Sequence, residues 1–432
     1  MKHILRLNKH ILRINKCNKV IFEHGLRRQT ELSQKVYERE KKYAAHNYKS
    51  LPVVLTRAEN IFVWDIEGQK YFDFLSSYSS VNQGHCHPKI LKAFVAQATQ
   101  VTLTSRAFIS DAFGECTEFM SKLFGYQKVL MMNTGVEAVE SACKLARKWA
   151  YEVKKVQPNE ARIAFARDNF WGRSISAISS STDENAKENF GPFTPNFDIL
   201  PYDNLESLEA YLKNTKNVAA FMIEPIQGEA GVKVPSQGYI KGVRELCTKY
   251  NVLFISDEVQ TGLCRTGKLL CTDHDEVRPD IVCLGKALSG GLMPVSAVLS
   301  SDEIMLTIRP GQHGSTYGGN PLASKVAIRS LEVLLEEKMA ENAEIQGQYF
   351  RDELSRRLPK DIVTEVRGKG LLNAVVINKK YDAWSICLRL RDYGILSKPT
   401  HEHIIRLAPP LTITRDEMDV ALAIFEKVFN EV

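Results

Sequence analysis

The sequence predicts an α/β protein: a large domain built on a mostly parallel sheet flanked by helices, followed by a smaller α+β domain at the carboxyl end. Three observations carry that expectation. From about residue 85, short apolar runs alternate with segments of helical period. The runs at 163–166, 218–223, 252–257, 281–284 and 295–299 are bounded by Gly, Pro or charge, which suits strands buried on both faces of a parallel sheet. After Pro321 the alternation stops, and two long helices are followed by a mixture of strands and helices.

Taken in order, 35–45 reads as a short charged helix. Small strands follow at 53–55, 61–65 and 70–74, with Glu67-Gly68 supplying a turn. Helices are expected at 88–99 and 112–124, then a strand at 128–132. A long helix at 136–154 carries Ala138, Ala142, Leu145, Ala146 and Trp149 on one face. The segment 237–250 suits a crossover helix between parallel strands. Beyond Pro321, helices run to about 357, strands fall at 362–366 and 371–377, a helix at 383–393, a strand near 404–407, and a last helix starts about 415. The expected division is a basic segment at 1–28, a segment at 29–84 packing with the small domain, the large domain at 85–320 and the small domain at 321–432.

The net charge of +6 comes from one place. Residues 1–22 hold Lys2, Arg6, Lys9, Arg13, Lys16 and Lys19 and no acid, which leaves 51 basic and 51 acidic residues for the rest. A neutral body is poor ground for nucleic-acid binding by a basic domain. The basic start repeats itself, as HILRLNK at 3–9 and HILRINK at 10–16. Its cations fall on one helical stripe, so it reads as a mitochondrial presequence, although it is poor in serine; the alternatives are a basic tail or membrane-surface helix on a cytoplasmic protein. Nine scattered cysteines without a C-x-x-C pair argue for a reducing compartment and against a disulfide framework. The most apolar stretch, 281–299, contains Lys286, Pro294 and three glycines, which a lipid-facing span would not choose.

Ligands in open α/β sheets gather beyond the carboxyl ends of strands. Three such ends carry chemistry here. Asn133-Thr134-Gly135-Val136 runs from a strand into a helix, where N–H groups and the Thr134 hydroxyl can hold a phosphate; a simple helix cap is the bland alternative. Asp257-Glu258 ends a second buried run. Lys286 follows a third, with small residues after it; a buried lysine has a lowered pKa and can form a Schiff base. A phosphate cup, an amine and an acid together are what pyridoxal phosphate requires.

At these residues the chain resembles the class III pyridoxal-phosphate aminotransferases of fold type I, and more closely the eukaryotic ornithine aminotransferases. The motifs are His46-Asn47-Tyr48, 73–80 with Val81-Asn82-Gln83-Gly84-His85, Asn133-Thr134-Gly135, Asn169-Phe170-Trp171-Gly172-Arg173, Glu224-Pro225-Ile226-Gln227-Gly228-Glu229-Ala230-Gly231, the Asp257 and Lys286 stretches, 314–321, Arg367-Gly368-Lys369-Gly370 and 406–410. They cover about residues 40–430.

The resemblance implies roles. Lys286 takes the cofactor's aldehyde and later moves the substrate proton, and Asp257 pairs with the pyridine N–H. Gln260 meets the phenolic oxygen, Phe170 stacks on the ring, and Thr134, Gly135 and Val136 hold the phosphate. Ser315 and Thr316 reach that phosphate from the neighbouring subunit, so a homodimer with shared sites is expected. For substrate, Arg173 takes the α-carboxylate of ornithine, Tyr48 its α-amine, and Tyr78 and Trp171 line the pocket. Arg406 takes a carboxylate of 2-oxoglutarate, and Glu229 neutralises Arg406 while ornithine is bound. The alternatives are another ω-aminotransferase of this class, acting on acetylornithine or 4-aminobutyrate, or a non-catalytic protein on the same fold. No metal is expected: His85-Cys86-His87 and His401-Glu402-His403 have no companion ligands in the sequence. The P-loop-like 262–268 lacks its Ser or Thr, and Ser141-x-x-Lys144 lacks a Ser-Asp-Asn partner.

Overall fold

The computed structural model describes residues 30–432. The basic start, with the helix expected on it, lies outside the described residues. Three short strands come first: β1 (Leu55–Glu59), β2 (Phe62–Asp65) and β3 (Lys70–Asp73). Seven follow: β4 (Lys128–Met132), β5 (Arg162–Ala166), β6 (Phe197–Leu200), β7 (Val218–Ile223), β8 (Leu253–Asp257), β9 (Ile281–Leu284) and β10 (Ser296–Ser300). The last five are β11 (Val363–Lys369), β12 (Leu372–Ile377), β13 (Ile395–Leu396), β14 (Lys398–Thr400) and β15 (Ile404–Leu407).

The central sheet has the order β4-β10-β9-β8-β7-β5-β6. Only β10 runs against its neighbours, so the carboxyl ends of β4, β8 and β9 lie at the same edge. Strands β7 to β10 are buried along their whole length, which is why their sequences show no polar alternation. The helix Gly135–Glu152 follows β4 after two residues and buries Ala138, Ala142, Leu145, Ala146 and Trp149.

Two smaller sheets complete the fold, β11-β12-β15-β14 and β1-β2-β3-β13. In the second, β3 pairs in parallel with β13, so the first strands are tied to the carboxyl-terminal part. One apolar cluster joins all the parts, from Phe74 through Val282 and Leu334 to Phe350 and Phe425. The Phe74 ring lies 5.6 Å from Phe350 and 5.5 Å from Phe425.

Some element bounds differ from expectation for physical reasons. The strand expected at 53–55 begins at Leu55 and runs to Glu59; it is an exposed edge, so no apolar pattern marks it. Strand β6 edges the central sheet and is only four residues long, with Leu200 alone buried, so it stands out poorly in the sequence. Strands β13 and β14 are too short to display a period.

Arg265 knits the segments near the site. It is fully buried, and its guanidinium donates to Asn82 Oδ1 at 2.6 and 3.2 Å, to Leu371 O at 3.0 Å and to Pro409 O at 2.6 Å. One rigid fork therefore satisfies backbone carbonyls from two parts of the chain and a side chain from a third. Neighbouring Gln83 donates to Ala287 O at 2.9 Å, bracing the loop that carries Lys286.

Candidate active site

The three strand ends meet by close backbone packing. A Cβ on Gly135 would fall 2.9 Å from Val259 Cγ1, and one on Gly285 would fall 3.2 Å from the same atom and 3.5 Å from Gly135 Cα. Any side chain at either glycine would push the helix start away from the Asp257 and Lys286 segments. Ser296 Oγ donates to Thr134 O at 2.7 Å, holding β10 to the same turn. Lys286 follows Gly285 directly and adopts φ +43°.

The turn after β4 is a capped helix start. Thr134 Oγ1 accepts from Glu137 N at 3.3 Å, and Glu137 Oε2 accepts from Thr134 N at 2.8 Å. The Thr134 hydroxyl is thus engaged in the cap. Ala138 N donates to Thr134 O, so the first-turn N–H groups outside these bonds are those of Gly135 and Val136. They are the donors left at the positive end of the helix, where an anion would be favoured. Gly172, at φ +146°, packs so closely that a Cβ would lie 2.5 Å from Val136 Cγ2. That contact sets the Phe170–Arg173 turn against the helix start. The Arg173 guanidinium lies 5.4 Å from the Phe170 ring centre, and both residues are exposed.

Burial dominates the electrostatics. It pulls the Lys286 amine down to about 8, against the opposing pull of Glu229. It pushes Asp257 up to about 6, held back by the Val259 N–H at 3.0 Å and by Lys286. Glu224 rises to about 8, from burial first and the Asp257 charge second. Its oxygens accept from Phe170 N at 3.0 Å and Gly228 N at 3.3 Å. Arg406 is buried and pairs with Glu229 at 2.7 Å. Burial pushes the Glu229 carboxyl up, but Arg406, Lys286 and its hydrogen bonds outweigh that and hold it below the usual range. The Arg406 guanidinium also lies 4.8 Å from the Tyr78 ring centre. Burial and Glu229 both raise the Tyr78 hydroxyl, and Tyr48 adds to the rise, which places the two tyrosines in one neighbourhood.

These residues fit pyridoxal phosphate. The donors for a phosphate, the amine and the acid lie at one sheet edge. Gln260 lies flat on Gly228, where a Cβ would meet its Oε1 at 1.7 Å, and that oxygen is buried without a partner. Arg406 Nε is likewise buried and unpaired.

The structure gathers Thr134, Gly135, Val136, Phe170, Arg173, Glu229, Asp257, Gln260, Lys286 and Arg406, with Tyr48 and Tyr78 beside the Arg406 end. It corrects one expectation. Trp171 does not line a pocket: it is buried, its ring stacks on Phe165 at 5.9 Å, and its Nε1 donates to Ser180 Oγ at 2.7 Å. It supports the turn from the core side. Ser315 Oγ accepts from Asn133 Nδ2 of the same chain at 2.8 Å, and Thr316 is exposed. Glu224 was missed, though a carboxylate just past β7 obeys the same strand-end rule that found Asp257. The paired Ser141 of the Ser-x-x-Lys match bonds His313 at 2.8 Å, and Lys144 bonds the other ring nitrogen at 2.9 Å. Among the described residues no group of three His, Cys, Asp or Glu side chains gathers as a metal site.

The family model for class III aminotransferases matches residues 43–429, and the chain belongs to that family. It is similar to the mitochondrial ornithine aminotransferase of Drosophila melanogaster, at 63% identity over 91% of each chain. Among solved structures, the ornithine aminotransferase of Toxoplasma gondii superposes with a TM-score of 0.91 at 48% identity, covering 94% of this chain and 99% of that one. An acetylornithine aminotransferase from Elizabethkingia anophelis gives a TM-score of 0.85 at 51% identity, covering 93% and 99%.

A lysine must lose its proton before it can attack an aldehyde, and the lowered Lys286 value moves that loss to about pH 8. Covalent capture of pyridoxal phosphate by the stripped protein is therefore expected to accelerate through about pH 8 and level off above it. A rise confined to pH values near that of a free lysine, roughly 10.4, would contradict the buried geometry.

Proposed function

We propose that this chain is a pyridoxal-phosphate enzyme that transfers the δ-amino group of L-ornithine to 2-oxoglutarate. The products are glutamate and glutamate 5-semialdehyde, which cyclises to pyrroline-5-carboxylate. The observation that carries this reading is the buried Arg406 closed by Glu229 at 2.7 Å, while Arg173 is exposed. A pocket with one open and one masked arginine suits an amino acid with one carboxylate, presented amine first. When Glu229 turns away, Arg406 is free to take the second carboxylate of 2-oxoglutarate by a fork of hydrogen bonds.

When bound, pyridoxal phosphate supplies an aldehyde for the amine and a ring that draws electrons from the carbon losing its proton. The rest falls to the chain. Gly135 and Val136 would hold the phosphate through their N–H groups, and Phe170 would cover the ring with its flat face. Asp257 would hold the proton on the ring nitrogen, and Gln260 would donate its amide N–H to the phenolic oxygen. The Lys286 Nζ, with its lowered proton affinity, carries the proton between neighbouring carbons. Arg173 would grip the α-carboxylate and Tyr48 the α-amine. A charged α-amine suits two tyrosines near Glu229 better than an acetylated one. Ser315 and Thr316 are read as reaching the phosphate of a second copy, which makes the working form a homodimer with shared sites. We read 29–84 as packing with a small domain at 321–432, supported by the β3–β13 pairing, and 85–320 as the cofactor-binding domain.

Purified protein is expected to form pyrroline-5-carboxylate from ornithine and 2-oxoglutarate, with more than about tenfold preference over N-acetylornithine. Lys286→Ala should abolish turnover. A preference for the acetylated compound would assign the chain to the acetylornithine type instead. The animal relative at 63% identity is named mitochondrial, and we place this protein in the mitochondrial matrix, directed by its basic start. Deleting residues 1–22 is expected to spare turnover and abolish import; a shortened chain that still reached the matrix would remove the presequence reading.

A further inference from the structure

We propose that Asp73 is the positioning residue that presents Tyr78 to the substrate pocket, through a left-handed turn that its carboxylate pins. The proposal rests on the reading above that Tyr78 lines this pocket. Ser76, Ser77, Tyr78 and Ser79 have φ of 50°, 47°, 58° and 69°. None is glycine, and each L-residue is disfavoured in that region, so the surroundings must hold the turn. The serine hydroxyls do not hold it: Ser76 Oγ and Ser79 Oγ are buried without partners.

Asp73 does. Its Oδ1 accepts from Leu75 N and from Ser76 N, both at 2.8 Å, at the point where the chain turns left-handed. Its Oδ2 lies 2.7 Å from His85 Nε2. Both anchors are themselves fixed. Asp73 N donates to Ile61 O at 2.9 Å, and His85 exchanges backbone bonds with Asn60 at 2.8 and 2.9 Å. Within the turn, Tyr78 N donates to Leu75 O at 3.0 Å and Ser80 N to Ser76 O at 2.9 Å. The outcome is a Tyr78 ring held 4.8 Å from the Arg406 guanidinium. The adjoining Phe74 O accepts from Ala408 N at 2.8 Å, so the same segment fixes the chain just beyond Arg406. A right-handed turn at 76–79 would point Tyr78 elsewhere and leave Arg406 where it is.

Two substitutions separate geometry from charge. Asp73→Asn keeps an oxygen for the two N–H groups and gives up the charge. Its amide can still meet His85 through the other tautomer. Asp73→Glu keeps the charge and moves the oxygens by one methylene. In the cofactor-loaded enzyme, Asp73→Asn is expected to keep the KM for ornithine within about threefold of the parent. Asp73→Glu is expected to raise it about tenfold, with kcat, cofactor absorbance and thermal midpoint little changed. Tyr78→Ala in the same assay should also raise that KM. If Tyr78→Ala leaves KM unchanged, the pocket reading fails and this proposal with it. If Tyr78→Ala raises KM but Asp73→Glu does not, the Asp73 proposal alone is wrong. It is equally wrong if Asn proves worse than Glu, or if both lose cofactor and thermal stability together with KM.

Discussion

A primary amine buried beside three carboxyls is the constraint around which the site is built. Lys286 stands at the end of a fully buried strand, and burial is the largest influence on its proton affinity. An uncompensated buried cation is costly, so its neighbours must supply negative charge without making the cluster acidic overall. Asp257 and Glu229 supply it, while burial raises Glu224 to about 8 and so disfavours a further charge there. Arg406 balances Glu229 at the far end. Lys286 and Arg406 share Glu229 as a counter-charge, which couples the buried amine to the buried arginine.

That cluster exists only because distant backbones come within contact of one another. Gly135 and Gly285 allow the helix start after β4 to touch the ends of β8 and β9. Gly172 brings the Phe170 turn down on the same helix start, and Glu224 ties that turn to the loop bearing Glu229. Arg265 and Asn82 then lock the loop after β8 to the segments that follow Tyr78 and Arg406. The geometry of the site is therefore a property of how separate chain segments are held, with the Tyr78 turn in a backbone conformation that its own residues disfavour.

Much of this was legible in the sequence, for physical reasons. Asp257 and Lys286 stand out because a charge that ends an apolar run must face something other than core. The parallel sheet was readable because buried strands lack alternation. What stayed hidden was side-chain direction and fine geometry. Trp171 sits between Phe170 and Arg173, and no spacing rule shows that the turn points it inward to Phe165. Edge strand β6 is four residues long with only its last one buried, too little to mark it as a strand. The left-handed turn at 76–79 has no glycine to announce it, and its pin, Asp73, lies three residues before it. Arg265 appeared only as part of a P-loop-like run; its buried role emerges once Leu371 and Pro409 are seen beside it.

The visible absorption of the purified protein tests the central claim most directly, because it reports the state of the cofactor on Lys286 itself. The account predicts a visible band from lysine-bound pyridoxal phosphate. Ornithine alone should bleach that band, and subsequent 2-oxoglutarate should restore it. A protein that binds pyridoxal phosphate yet shows no spectral response to ornithine would contradict the account.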